Sequence, residues 1–231
     1  MSEIIAEIGQ NHNGDMGLAK ELIYAAKENG ADVAKFQLFD PHILFPPTKP
    51  WFEYNCRTQL SRDNLEYLND ICLKIDIEFM TSVFDIERVE WCESINVKRY
   101  KVASRSIHDK NLINKISATQ KPFIVSLGMW LEDEFPIIKG NLIGFLYCIS
   151  KYPTPLTDLK FGSINFDKYI GFSDHTIGIS AACIAMTKGA KIIEKHFTLD
   201  KEMIGPDHKC SMTPDELNLL SKFKDDLYLS L

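Results

Sequence analysis

At 231 residues, 45% hydrophobic and 25% charged, the chain can bury the core of a single domain spanning 1–231, and no linker-like stretch divides it. A net charge of -6 with scattered lysines argues against the basic surface that a nucleic-acid partner needs. The start MSEIIAEIGQ lacks a basic segment followed by a long apolar one, and nowhere do about 18 apolar residues run together, so neither secretion nor membrane insertion is expected.

In chain order, the apolar run Ile4 to Ile8 predicts a strand, and Leu18 to Asn29 a helix with Leu18, Leu22, Ile23 and Ala26 on one stripe and Gly30 as its stop. Val33 to Gln37 reads as the second strand. The proline-rich segment from Pro41 to Pro50, followed by Trp51 and Phe52, reads as a long loop, either a lid or packed surface. A helix over Asn64 to Lys74, entered through Ser61, repeats the stripe with Leu65, Leu68, Ile71 and Cys72. Strands then fit Glu78 to Thr81, Tyr100 to Val102 and Phe123 to Ser126, separated by helices over Ile86 to Glu93 and Leu112 to Thr119.

The next connections are meagre. Leu131 to Gly140 contains Pro136, and Leu156 to Asp167 is short and contains Gly162, so the fifth and sixth helices are expected to be cut to a turn or two each. Strands at Ile143 to Cys148, Ile170 to Phe172 and Ile192 to Lys195 complete a set of eight. Helices fit Ile179 to Lys188 and Pro214 to Leu227, the last with Thr213 as N-cap and Pro214 at its first position. This alternation predicts an α/β protein, a compact (β/α)8 TIM barrel with shortened fifth and sixth helices, whose strand ends converge on one face. Six cysteines, Cys56, Cys72, Cys92, Cys148, Cys183 and Cys210, stand far apart without a CxxC pair. That suits reduced thiols in a cytoplasmic protein better than a disulfide framework or a zinc ribbon.

Several strands end in reactive residues. His175, in Gly-Phe-Ser-Asp-His-Thr, and His196, in Glu-Lys-His-Phe-Thr, lie 21 positions apart, each just beyond an apolar strand. On neighbouring parallel strands both would reach one rim, within range of one divalent ion, although a strand-end histidine is also commonly structural. Asp174 is placed to orient an imidazole. Lys35 and Lys101 interrupt apolar strands, where an ammonium needs a nearby anion. A bound phosphate or carboxylate, an internal ion pair, and a Schiff-base lysine all remain open for them. Glu7 ends the first strand before Gly9, Asn11, Asn13 and Gly14, a turn that admits a ligand to backbone amides, and its carboxylate could move a proton. Ser104, Ser126 and Ser173 supply hydroxyls for an anion or cap their own loops.

The stretch Ala6-Glu-Ile-Gly-Gln-Asn-His-Asn-Gly14, the Lys35-Phe-Gln37 strand end, Tyr152-Pro-Thr-Pro155, Gly171-Phe-Ser-Asp-His-Thr176 and Glu194-Lys-His-Phe-Thr198 are followed by Gly205-Pro-Asp207 and Cys210-Ser-Met212. In combination, over nearly the whole chain, they resemble the sialic acid synthase (N-acetylneuraminate synthase) family. The resemblance implies a metal-dependent transferase that condenses phosphoenolpyruvate with an aldose or N-acylamino sugar, giving a nonulosonic acid and inorganic phosphate. It implies Mn2+ or Mg2+ at His175 and His196, with Lys35, Lys101, Gln37, Ser82, Ser104 and Ser173 holding phosphoenolpyruvate. It gives Glu7 a role in proton transfer or water activation, sets Tyr152 and Asp207 at the acceptor sugar or the metal site, and carries the expectation of a homodimer.

Three departures fall on the acceptor side. Family members usually carry a small antifreeze-like domain after the barrel, whose arginine reaches across a dimer to grip the sugar's acyl group. The resemblance here covers the barrel alone, so that grip is expected to be missing or to come from a separate subunit. The usual Gly-Glu after the fourth-strand serine is Arg105-Ser106, and the asparagine expected before Tyr-Pro-Thr-Pro is Ser150. The acceptor is therefore expected to differ from N-acetylmannosamine, with Arg105 replacing the missing arginine or meeting a charged acceptor. The rival readings are an aldolase or deoxy-sugar acid phosphate synthase of the same barrel class, and a barrel that binds anions without turnover.

Overall fold

Strands that are apolar on both faces need cover on both, and a closed parallel barrel wrapped in helices supplies it. The computed structural model, which describes residues 1–230, has this architecture. In chain order the elements are β1 (Glu3–Gly9), α1 (Met16–Glu28), β2 (Val33–Leu38), α2 (Pro41–Leu44), α3 (Phe52–Thr58), α4 (Arg62–Lys74), β3 (Glu78–Val83), α5 (Ile86–Ser94), β4 (Tyr100–Val102), α6 (Lys110–Ala118), β5 (Phe123–Ser126), β6 (Leu142–Cys148), β7 (Gly171–Asp174), α7 (Ser180–Thr187), β8 (Ile192–His196) and α8 (Pro214–Ser230). Each strand pairs in parallel with the next, and β1 pairs with β8 to close the cylinder. All eight expected strands form, the last two running on to Asp174 and His196.

Helix starts follow local capping chemistry. The Asp15 carboxylate accepts from the amides of Gly17 and Leu18, Ser61 and Asn64 cap each other reciprocally, and Thr213 does the same with Glu216. The buried stripe of α1 is Ala19, Leu22, Ile23 and Ala26, with Leu18 only half-buried at its edge. Inside the cylinder Ile5, Val33, Met80, Ile124, Leu146 and Ile192 form a packed layer, so the barrel is filled below its mouth. At the opposite end Arg99 holds Glu3 and Glu78, with its Nε 2.6 Å from a Glu78 oxygen.

The connections after β5 and β6 depart furthest from a regular barrel. No helix stands between β5 and β6 among the described residues, and β6 leads to β7 through one short 3-10 turn at Leu156–Asp158. Aromatic side chains supply the missing cover. Phe135, just before Pro136, packs 5.1 Å from Phe145 and 4.7 Å from Tyr169, and Phe161 lies 5.2 Å from Phe172. The proline-rich segment is also more ordered than a plain loop, with Asp40 capping α2 and Pro41 at its first position. The following α3 is packed rather than free: Tyr54 donates to the Gln10 carbonyl and to Asn13 Oδ1, and Gln10 donates to Asn55.

Two measurements check this account. Gly171 lets β7 approach β8 so closely that a Cβ there would lie 2.1 Å from the Ile192 carbonyl oxygen. Gly171→Ala is expected to cost more than about 2 kcal/mol in urea denaturation, and an unchanged midpoint would show the strand spacing to be elastic. His12 is fully buried, accepts from the Gly14 amide through Nδ1, and is pushed by burial down to about 4, against partial support from Asp15. The unfolded chain takes up that proton near pH 6.5 and the native chain only near pH 4, so stability falls as pH drops between the two, by up to about 3 kcal/mol from this group. His12→Gln should flatten that part of the pH profile.

Candidate active site

Strand alternation aims Glu7, Lys35, Lys101, Glu194 and His196 into the barrel mouth. Four of these charges form a connected group. Lys35 Nζ lies 2.5 Å from Glu7 Oε2, 3.5 Å from Glu194 Oε2 and 3.0 Å from Ser82 Oγ. Lys101 Nζ lies 3.2 Å from Glu194 Oε1, which also accepts from Ser173 Oγ at 2.9 Å. Gln37 donates to the second Glu7 oxygen at 2.9 Å. Gly9 makes room for this: its φ is +54°, and a Cβ would crowd the Gln37 amide and the Glu7 carboxylate at 3.1 Å.

Of the three readings open for the lysines, the internal ion pair is the contact present. Two ammonium groups face two carboxylates, all buried, with formal charges that cancel. The two lysines nonetheless differ. Burial disfavours both ammonium groups, but Lys35 has Glu194 and Glu7 beside it and its pKa rises, whereas Lys101 has Glu194 as its nearest acid, faces Lys35, and falls. Burial would raise Glu194, yet Lys101, Lys35 and the Ser173 hydroxyl bring it down to about 2.

Glu194 was missed in the sequence. The signal was there: it interrupts an apolar strand two positions before His196, which puts both on one face of β8. Cys148, one of the six thiols expected to be reduced, ends β6 with its sulfur 3.8 Å from His175 Nδ1.

The two imidazoles share the rim, with ring centroids 5.7 Å apart. His175 Nδ1 donates to the Ile149 carbonyl at 2.9 Å, which directs Nε2 elsewhere. His196 Nδ1 is buried without a hydrogen-bond partner and stands 4.0 Å from an Asp207 carboxylate oxygen. Burial lowers His196 to about 4 against the opposing pull of Asp207. The Tyr152 ring lies over His175 at 4.0 Å between centroids. Asp174 does not touch either imidazole. It ends β7 on the outer face, where Lys195 and the Thr176 amide occupy its oxygens, because side chains one residue apart on a strand point to opposite faces.

The remaining expected residues divide. Ser126 lines the mouth with a buried hydroxyl that has no partner, and Ser104 Oγ accepts from the Gly128 amide at 3.0 Å. Arg105 sits at the rim outside the cavity, donating to the Leu44 carbonyl at 3.3 Å with its guanidinium 4.8 Å from the Phe45 ring centre.

This arrangement can hold a small polyanion between ammonium groups and hydroxyls while two imidazoles stand beside it. Comparison with known proteins shows the family of the chain. The family model described as NeuB matches residues 22–228. The N,N'-diacetyllegionaminic acid synthase of Legionella pneumophila is 36% identical over 96% of this chain and 71% of its own length. The N-acetylneuraminate-9-phosphate synthase of Mus musculus is 35% identical over 93% of this chain and 67% of its own. Among solved structures, the N-acetylneuraminic acid (sialic acid) synthetase of Leptospira borgpetersenii superposes with a TM-score of 0.92 at 28% identity, covering 99% of this chain and 84% of that one. On the match of its family model and on these relatives, the chain belongs to the NeuB family.

Proposed function

We propose that this protein joins phosphoenolpyruvate to the aldehyde of an aldose or N-acylamino sugar, making a nonulosonic acid and releasing inorganic phosphate. The observation that carries the reading is the buried Lys35 and Lys101 pair beside two imidazoles at the barrel mouth. Lys35 and Lys101, with the hydroxyls of Ser82, Ser104, Ser126 and Ser173 and the Gln37 amide, grip the donor's phosphate and carboxylate. The enol is thereby fixed with its C3 toward the acceptor, and attack starts from an oriented pair rather than a collision. Bond formation leaves positive charge at C2, where water adds. Glu7 takes one proton of that water and returns it to the alkoxide left on the former aldehyde carbon, and the tetrahedral intermediate collapses to the ketone by C–O cleavage, its remaining hydroxyl proton leaving with the phosphate.

His175 and His196 fit a divalent cation, Mn2+ or Mg2+. His196 Nδ1 is an orphaned buried nitrogen, and the Ile149 carbonyl holds His175 in the tautomer that leaves Nε2 free. Among the described residues no three His, Cys, Asp or Glu side chains form a preassembled metal site, so the two imidazoles would hold the ion only with substrate or solvent completing its coordination. When bound, the ion supplies Lewis-acid polarisation of the acceptor's aldehyde oxygen. Tyr152 and Asp207, beside the two imidazoles, are placed to orient that acceptor. Six free cysteines support a reducing, cytoplasmic setting.

Phosphate release from phosphoenolpyruvate with Mn2+ across a panel of aldoses and N-acetylated amino sugars, free and 6-phosphorylated, tests the reaction. Release should require both an acceptor and the metal, and His175→Ala or His196→Ala should lower it by at least about a hundredfold. No release with any acceptor, despite bound metal, would point to an anion-binding barrel. A borohydride-trapped adduct at Lys101 would point to a Schiff-base aldolase. Arg105→Ala is expected to raise the acceptor KM at least fivefold and leave the phosphoenolpyruvate KM unchanged. An unaltered acceptor KM would remove Arg105 from acceptor recognition.

A further inference from the structure

Directly behind the two imidazoles, on the outer face of the same strands, lies an ion pair with no solvent exposure. Asp174 Oδ2 accepts from Lys195 Nζ at 3.0 Å, and both side chains are 0% exposed. The pair is fully satisfied by local backbone: Lys195 also donates to the Thr176 carbonyl at 2.6 Å, and the other Asp174 oxygen accepts from the Thr176 amide at 2.8 Å. Asp174 immediately precedes His175, and Lys195 immediately precedes His196.

Stability does not explain such a pair. Two charges withdrawn from water pay a desolvation penalty that their attraction rarely exceeds, and apolar side chains of equal volume commonly do as well. The rest of that face follows the apolar solution, since Phe172 and Ile193, two positions earlier on β7 and β8, belong to the outer core. What distinguishes Asp174 and Lys195 is their place in the sheet. The β7–β8 ladder runs from Gly171 opposite Ile192 up to Asp174 opposite Lys195 and ends there. Beyond that rung no strand pairing holds His175 against His196, and the ion pair is the last cross-link before them.

We infer that Asp174 and Lys195 are positioning residues that set the spacing of His175 and His196 for the cation they share, an inference that rests on the metal role proposed above. A charge-assisted hydrogen bond suits this task because it is short and directional, and the Thr176 contacts tie the chain just past His175 into the same knot. A pair of apolar side chains would fill the space without fixing the two strand ends to each other, leaving His196 held only to Glu7 and Met212 and His175 only to the Ile149–Thr154 segment.

The test compares Lys195→Met, the conservative Lys195→Arg and the double replacement Asp174→Asn/Lys195→Met, which leaves no buried charge unpaired should the single variant not fold. Histidine side-chain 1H–15N spectra without metal report ring placement, titration with Mn2+ followed by electron paramagnetic resonance reports affinity, and phosphoenolpyruvate binding without metal reports the donor end. Lys195→Met, or the double variant, should shift the His175 and His196 resonances while leaving His12 in place. It should weaken Mn2+ binding at least tenfold with phosphoenolpyruvate affinity within twofold of the parent, and Lys195→Arg should restore both signals. Unmoved His175 and His196 resonances with Mn2+ affinity within twofold of the parent would overturn the inference. If the parent binds no Mn2+ yet the resonances still move, the positioning role stands and the metal reading falls.

Discussion

Glu7, Lys35, Glu194 and Lys101 form the constraint on which the mouth of this barrel depends. Four formal charges are held away from water, which is tolerable only because each ammonium meets a carboxylate and the sum is zero. The barrel supplies that condition. Its closed register brings β1 against β2 and β8 and so sets Glu7 opposite both Lys35 and His196, while β3 sets Ser82 opposite Lys101. An open sheet would leave β1 and β8 at separate edges, with Glu7 and Glu194 far apart.

On the proposed reading the same group is where an anion would enter. A neutral, buried cluster with two carboxylates already in contact with the lysines means that an incoming phosphate competes for donors that are in place rather than recruiting them. Hydroxyls fill the gaps between charges, and Ser126 faces the mouth with its hydrogen-bonding capacity unspent. The asymmetry between Lys35, with two carboxylates, and Lys101, with one, makes Lys101 the easier ammonium to turn toward a ligand.

Much of this was legible in the residues. Strand ends at Glu7, Lys35, Lys101 and His196 stand out because a charge terminating an apolar run in a parallel strand has few explanations. Helix caps at Ser61 and Thr213 are local and readable for the same reason. What escaped was pairwise. The face of Glu194 is legible from its spacing to His196, but its partners are not, since Ser173 and Lys101 reach it from β7 and β4, and the outward turn of Asp174 follows from where β7 ends. Arg105 could be seen as an unusual residue, but its seat on Phe45 depends on how the segment after β2 folds back. The connections beyond β5 and β6 were expected to be short, though their replacement of helices by Phe135 and Phe161 rests on tertiary contacts no periodicity encodes.

Those two connections also divide the rim into halves of unlike construction. Around Glu7, Lys35 and Glu194 the wall is ladder-bonded strand, where an inserted residue would flip every following side chain. From Ile149 to Ile170, the stretch that carries Ser150 and Tyr152, the backbone is irregular and is anchored by Phe161 and Tyr169 packed on β6 and β7 and by backbone bonds at Thr154 and Ile170. Side chains on that half can change without altering the strand ladder, provided the Ile149 and Thr154 contacts to His175 are kept. On the proposed reading, a change of acceptor sugar would therefore fall on the pliant side and leave the lysine-lined wall as it is.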